Sequence, residues 1–356
     1  MGEDKINRRQ MLAAAFVALL SPVARRIPSG LVMVSGPAAW LAAPIAAVPV
    51  VIMIAFMARM LRGGRGLGEV FALSLGKRLG GLAVGAVSLW LLFYCGFILR
   101  SAAYRFTSTV YPSTAGWIFI VFSALCCLPI AMGRFSAIAR LSVLLRPLLI
   151  AVLTAVFIFS LGDCRLRGVL AISEENVLPA LHSGFTVLNT LSVVCYLGFA
   201  ERRCSEDFRP RQYVLWALVL LAIVEMLCLS CLGVFGAELT TKLNFPFFML
   251  VRDISIFDSF ARMEALVIAL WMFADAVHIS LLLHIASENL GRLLRRSRKA
   301  TAALCTLGAA GAGLAIPSDM LAVGLFSEKI VPAGNAIIIF GLLPLVFALG
   351  WIRRKL

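Results

Sequence analysis

Apolar stretches of about 20 residues recur roughly ten times along this 356-residue chain, and each is long enough to cross a hydrocarbon core about 30 Å thick. Hydrophobic residues make up 61% of the chain and charged residues 14%, which excludes a soluble domain built around one core. The interruptions, the longest around Gly162–Pro179 and Gly236–Asp258, are too short for a separate soluble domain. The reading is therefore an all-α integral membrane protein, a single transmembrane domain over residues 1–356.

The expected spans run Gln10–Val34, Ala38–Leu61, Leu82–Tyr104, Thr114–Met132 and Ile138–Leu161. They continue with Leu181–Phe199, Gln212–Val234, Phe260–Leu290, Ala300–Leu314 and Gly334–Trp351. Gly68–Leu79 suits a short interfacial helix. Lys5, Arg8 and Arg9 precede the apolar Met11–Leu20, as in a signal peptide. No clean cleavage site follows, so this segment reads as an uncleaved first helix.

A net charge of +15 suggests nucleic acid in a soluble protein; here the basic residues sit between spans and set orientation, and no nucleic-acid partner is expected. With Arg25, Arg26, Arg146 and Arg262 placed inside spans, one side collects 22 Lys and Arg and the other 7, Arg100, Arg105 and Lys329 among them. Both termini then face the cytoplasm. Most of the nine cysteines lie in apolar runs, and the Cys228/Cys231 spacing has no second pair or His cluster beside it. No metal or cofactor is implied, and no nucleophile–base constellation points to an enzyme.

The first span is interrupted by Ser21-Pro22 and by Arg25-Arg26-Ile27-Pro28-Ser29-Gly30. Each proline removes a backbone donor, and unpaired backbone at membrane depth is tolerated where it lines a cavity. A broken first span marks inverted-repeat transporters, here with repeats over about 10–161 and 181–352. The matching sixth span has no proline but clusters Thr186, Asn189, Thr190 and Ser192, which either bind freed groups or back-bond to their own helix. A break in the first span would offer amide nitrogens to a carboxylate and carbonyls to an ammonium, a cradle suited to an amino acid.

Ionisable residues at membrane depth are costly and mark function or pairing. The eighth span carries Glu264, Trp271, Asp275 and His278. Asp275 and His278 share a helical face, fit either for carrying a proton or binding an ammonium, or for a structural hydrogen-bonded pair. Glu225 suits pairing with a nearby base. Arg25 and Arg26 suit either an outer vestibule that attracts a carboxylate or the outer headgroups. Tyr94 offers a hydroxyl to a central site or packs.

The segment Phe245-Pro246-Phe247-Phe248, Leu250-Val251-Arg252-Asp253-Ile254, Phe260-Ala261-Arg262-Met263-Glu264-Ala265-Leu266 and Trp271 resembles the signature of the spore germination permeases, the B subunits of germinant receptors. Ile6-Asn7-Arg8-Arg9-Gln10, Gly36–Trp40, Ile98-Leu99-Arg100, Ala139-Arg140-Leu141-Ser142 and Trp351-Ile352-Arg353-Arg354-Lys355 agree with it. The resemblance implies the amino acid–polyamine–organocation fold, with ten helices in a 5+5 inverted repeat and helices 1 and 6 broken. It also implies residence in the spore inner membrane, contact with membrane lipid, two further receptor subunits as partners, and a small germinant, typically an amino acid, that is sensed rather than pumped. The chain departs from the family pattern at Ser21, Pro22 and the two arginines, and at Leu197-Gly198-Phe199-Ala200-Glu201. Ser21, Pro22, Ala24, Tyr94, Asn189, Thr190 and Asp275 are the candidate ligand-binding residues. In the alternative, a proton-coupled amino acid transporter, Asp275 and His278 form the coupling pair.

Overall fold

A computed structural model describes residues 4–165, 169, 174–206, 208–253 and 263–353. The chain starts with α1 (Arg8–Ser35), a 3₁₀ turn (Gly36–Leu41), α2 (Ala42–Met60), α3 (Leu67–Leu75), α4 (Lys77–Thr109), α5 (Gly116–Met132) and α6 (Phe135–Ser160). Then come α7 (Val177–Ser192), which continues as a 3₁₀ stretch (Val193–Arg203), α8 (Pro210–Lys242), α9 (Pro246–Asp253), α10 (Met263–Leu294) and α11 (Arg298–Ala315). The last segment strings together α12 (Met320–Leu325), α13 (Val331–Ala336) and α14 (Leu343–Ile352) through π-helical stretches Phe326–Ile330 and Ile337–Leu342. Each expected span has a helix. The short helix expected over Gly68–Leu79 is α3, which ends at Leu75, while residues 77–79 open α4; Gly76 at φ +87° separates the two in a left-handed geometry that glycine adopts without strain.

Seven described stretches are long and apolar enough to cross a membrane by length and composition. The expected spans outside that set have local reasons. Arg25 and Arg26 split the apolar reading of α1, α5 is a shorter apolar helix, and α11 opens on Arg298-Lys299. The exposed faces carry Ile52, Leu82, Phe122, Leu144 and Leu307, side chains that belong in lipid rather than water.

The break expected in the first span is absent. α1 is helical from Arg8 to Ser35 with Pro22 and Pro28 inside it. Each proline frees one carbonyl a turn earlier, but α1 is wrapped by α6, α7, α8 and α10, and packing holds the helix through both sites. No helix N-terminus therefore opens in mid-span, and the backbone cradle for a zwitterion does not form there. The sixth span does change character: it turns from α to 3₁₀ geometry after Ser192. That span is central, with 83% of its apolar window buried, against 28% for Met320–Ile352.

The ends of α1, α6 and α10 are tied together at one end of the bundle. Asn7 caps α1 through a reciprocal capping box with Gln10. Ile6 pairs with Cys204, and Arg8 binds Glu201 at 2.7 Å and the Tyr213 hydroxyl at 3.0 Å. Asp4 accepts from the amides of Phe135 and Ser136 at the start of α6 and lies 3.2 Å from Arg203, which also binds Glu288. Burial pushes the Asp4 carboxyl up, but its bonds to Ser136 and Phe135 and the charge of Arg203 outweigh that and hold it below its ordinary value.

Candidate functional site

Asp275 on α10 is the hub of the buried polar groups. The Ser21 hydroxyl on α1 donates to one carboxylate oxygen, and the Arg105 guanidinium on α4 binds the other. The Trp271 indole N–H donates to Ser21 Oγ at 2.9 Å, and Arg105 stacks over the Trp271 ring at 4.2 Å. Trp271 lies one helical turn before Asp275, so both reach α1 from one face of α10. Arg105 was expected on the outer side of the membrane, in the loop after a span ending at Tyr104. The helix instead runs on to Thr109 and buries it. Its recruitment has a simple cause: a buried carboxylate demands a counter-charge, and α4 supplies one. Arg100, assigned to the same side, is likewise buried in α4 and bonds the last carbonyls of α11.

His278 does not join Asp275. Its ring meets Tyr94 edge-on at 5.5 Å, and neither ring nitrogen has a hydrogen-bond partner. The side chain of Glu264 and that of Arg26 lie outside the described residues. Glu225 Oε2 is buried without a hydrogen-bond partner, so the expected pairing is not formed at that atom.

Two small cavities flank this hub. One, with about 30 Å³ of internal space, is lined by Pro22, Arg25, Tyr94, Asn189, Thr190 and Asn335, among others. The second, also with about 30 Å³ of internal space, is mostly apolar and is lined by Ser21, Ala24, Leu153, Phe247 and Trp271. Of the seven residues singled out in the sequence, four line the first cavity, two line the second, and Asp275 bonds Ser21 at the second. Thr190 lines the first cavity, yet its hydroxyl donates to the Thr186 carbonyl at 2.9 Å, and Thr186 and Ser192 back-bond in the same way.

The first cavity also holds polar residues that the sequence did not announce. Asn189 Nδ2 donates to the Pro332 carbonyl at 2.9 Å, while its Oδ1 is buried with no partner. Pro332 lies just after a π-helical stretch, where the shifted backbone register leaves carbonyls available. Asn335 accepts from Trp90 and from Tyr196, both at 2.9 Å, and so ties α4 and the 3₁₀ stretch to α13. The tenth span was expected to begin at Gly334. Glu328, Lys329 and Pro332 interrupt its hydropathy, but the helix starts at Met320 and brings Ser327 and Asn335 to the cavity. Lys329, expected in an outer loop, belongs to this helix.

Arg25 connects this cavity to a wider cleft of about 460 Å³, lined by Ser29, Ser101, Tyr104, Thr186, Ser327, Glu328 and Lys329 among others. The Arg25 side chain is 7% exposed and sits 5.4 Å over the Phe97 ring.

Comparison with known proteins places this geometry. The fold is similar to that of MhsT, solved in complex with L-phenylalanine: the TM-score is 0.68 at 19% identity, covering 95% of this chain and 89% of that one. It is also similar to a Na⁺-coupled sialic acid symporter in a substrate-bound outward-open state, with TM-score 0.62 at 16% identity, covering 97% and 78%. These likenesses show a transporter fold, in keeping with the amino acid–polyamine–organocation architecture. In sequence, YfkT of Bacillus subtilis (strain 168), named for spore germination, is 29% identical over 122 residues, a match spanning 33% of each chain. The family model described as "Spore germination protein" matches residues 5–314, and the chain therefore belongs to the spore germination permease family.

Proposed function

We propose that this chain is the permease-like subunit of a germinant receptor. It binds a small germinant of amino-acid type in the cavity between Pro22, Tyr94 and Asn189 and passes the signal to two partner subunits that start germination. Residence in the spore inner membrane, with both termini on the core side, belongs to the same reading. The observation that carries it is the cavity itself: Asn189 Oδ1 is buried with no partner, on a helix that changes geometry a few residues later. A ligand that satisfies this atom favours one arrangement of the span and shifts the population toward it.

The test is germination of spores lacking the gene against single amino acids, with uptake by vegetative cells followed alongside. Loss of response to one or a few compounds with normal uptake is the expected result. Asn189→Ala then raises the germinant concentration needed without lowering protein level; an unchanged dose response removes that residue from the site. Impaired uptake with normal germination favours the transport alternative, which draws on the transporter fold. The bond of Asp275 to Arg105 rather than to His278 gives a coupling pair no support.

A further inference from the structure

The buried charges around the cavity do not balance. Arg25 and Arg105 are buried cations and Asp275 is the buried carboxylate beside them. Asp275 is fully engaged, one oxygen by Ser21 and the other by Arg105. Arg25 makes no ion pair among the described residues, and its Nε and Nη1 have no hydrogen-bond partner. Protonation of His278 would only add to the positive excess. A buried cation that shares the nearby Asp275 carboxylate with Arg105 and makes no direct ion pair with it is expensive, and Phe97 beneath it offsets little of that cost. Arg25 also lines both the inner cavity and the wide cleft, so an anion that passes Glu328 and Lys329 in the cleft reaches Arg25 at the cavity. The α1 backbone offers no substitute, because its helix is continuous at Pro22.

We propose that this cavity is an anion site: Arg25 is the counter-ion for a small carboxylate, and Asn189 Oδ1 accepts from a hydroxyl or ammonium next to that carboxylate. The inference rests on the reading that the cavity binds a ligand, and it names the class. A guanidinium fork matches a carboxylate with two parallel bonds, which a point charge does not. The acid at hand, Asp275, is engaged, so a ligand ammonium meets a neutral amide oxygen. The carboxylate carries the affinity, and a 2-hydroxy acid serves as well as the matching amino acid.

The experiment uses the full-length protein purified in detergent, with thermal unfolding followed in the presence of alanine, lactate, propionate or alaninamide. Alanine and lactate should stabilise comparably, propionate less, and alaninamide, which lacks the carboxylate, not at all. Arg25→Gln should weaken binding of both acids roughly tenfold or more. Arg25→Lys, which keeps the charge and guards against a misfolded Gln variant, should retain part of it. Asn189→Ala should bring lactate down to the level of propionate. The inference is overturned if alaninamide stabilises as well as alanine, if no acid stabilises, or if a natively eluting Arg25→Gln protein binds unchanged. Spores separate this from the receptor reading. A gene-dependent response to an amine without a carboxylate sinks the anion site and leaves the receptor standing. Arg25-dependent binding of acids without any germination defect does the reverse.

Discussion

At the residue scale, the Arg105–Asp275 pair shows how a membrane protein keeps ionised groups at depth. Each charge is desolvated, and the pair is tolerable because Ser21, Trp271 and the partner charge satisfy it together. Removing one partner strands the other. Arg105→Met should cost about 3–5 kcal/mol, and Arg105→Met combined with Asp275→Leu should recover most of that loss. Thermal inactivation of the purified proteins reads both; a double variant as unstable as the two single losses added together would contradict the pairing argument. Asp275 was visible in the sequence because an acid in the middle of an apolar span is conspicuous. Arg105 was not, because it stands one residue past an expected span end and reads as an ordinary flank.

At the element scale, helices approach closely where side chains vanish. Gly96 on α4 faces α11: a Cβ there would sit 2.7 Å from the Ala309 carbonyl oxygen and 2.7 Å from Ala312 Cβ. Gly96→Val should force the two helices apart and cost about 1–3 kcal/mol or more. Gly311→Val, whose position is open, should be tolerated. The fraction of protein eluting as a single species in detergent compares them, and equal yields would argue against this crossing. The same scale explains the first span. Pro22 and Pro28 are legible helix breakers in sequence, yet contacts from four other helices keep α1 helical through both. The last span errs the other way: its charged and proline-bearing start reads as a loop, and the structure makes it helix by shifting to π geometry.

At the scale of the whole molecule, charge sets orientation and packing sets the cavity. The excess of Lys and Arg on one side is the ground for our proposal that both termini lie together on the cytoplasmic face. Reporters fused in turn to each end should both be active only in their cytoplasmic form; opposite results for the two ends would break the even-span topology. The knot of Arg8, Glu201, Arg203, Asp4 and Glu288 closes the bundle at the end that carries these basic residues. The wide cleft reached through Arg25 is lined by the far end of α1, Ser29 to Val34. An end held shut by ion pairs and another opened by a cleft is an arrangement that a ligand entering by the cleft can act on.

The sequence by itself determined the class of molecule and the order of its helices, and it picked out the polar residues that make up the proposed site. Apolar length, the placement of Lys and Arg, and unusual polar residues in apolar runs are local properties, and local properties survive without knowledge of the fold. Tertiary structure alone decided which polar atoms meet. Whether Pro22 breaks its helix depends on what surrounds it, and whether Asp275 stands ready for a ligand or is bound to Arg105, 170 residues away, depends on how α4 and α10 pack. Arg25 is an interfacial cation or a buried one by the same criterion. The energy of a buried charge is set by its neighbours in space, and those neighbours are far apart along the chain.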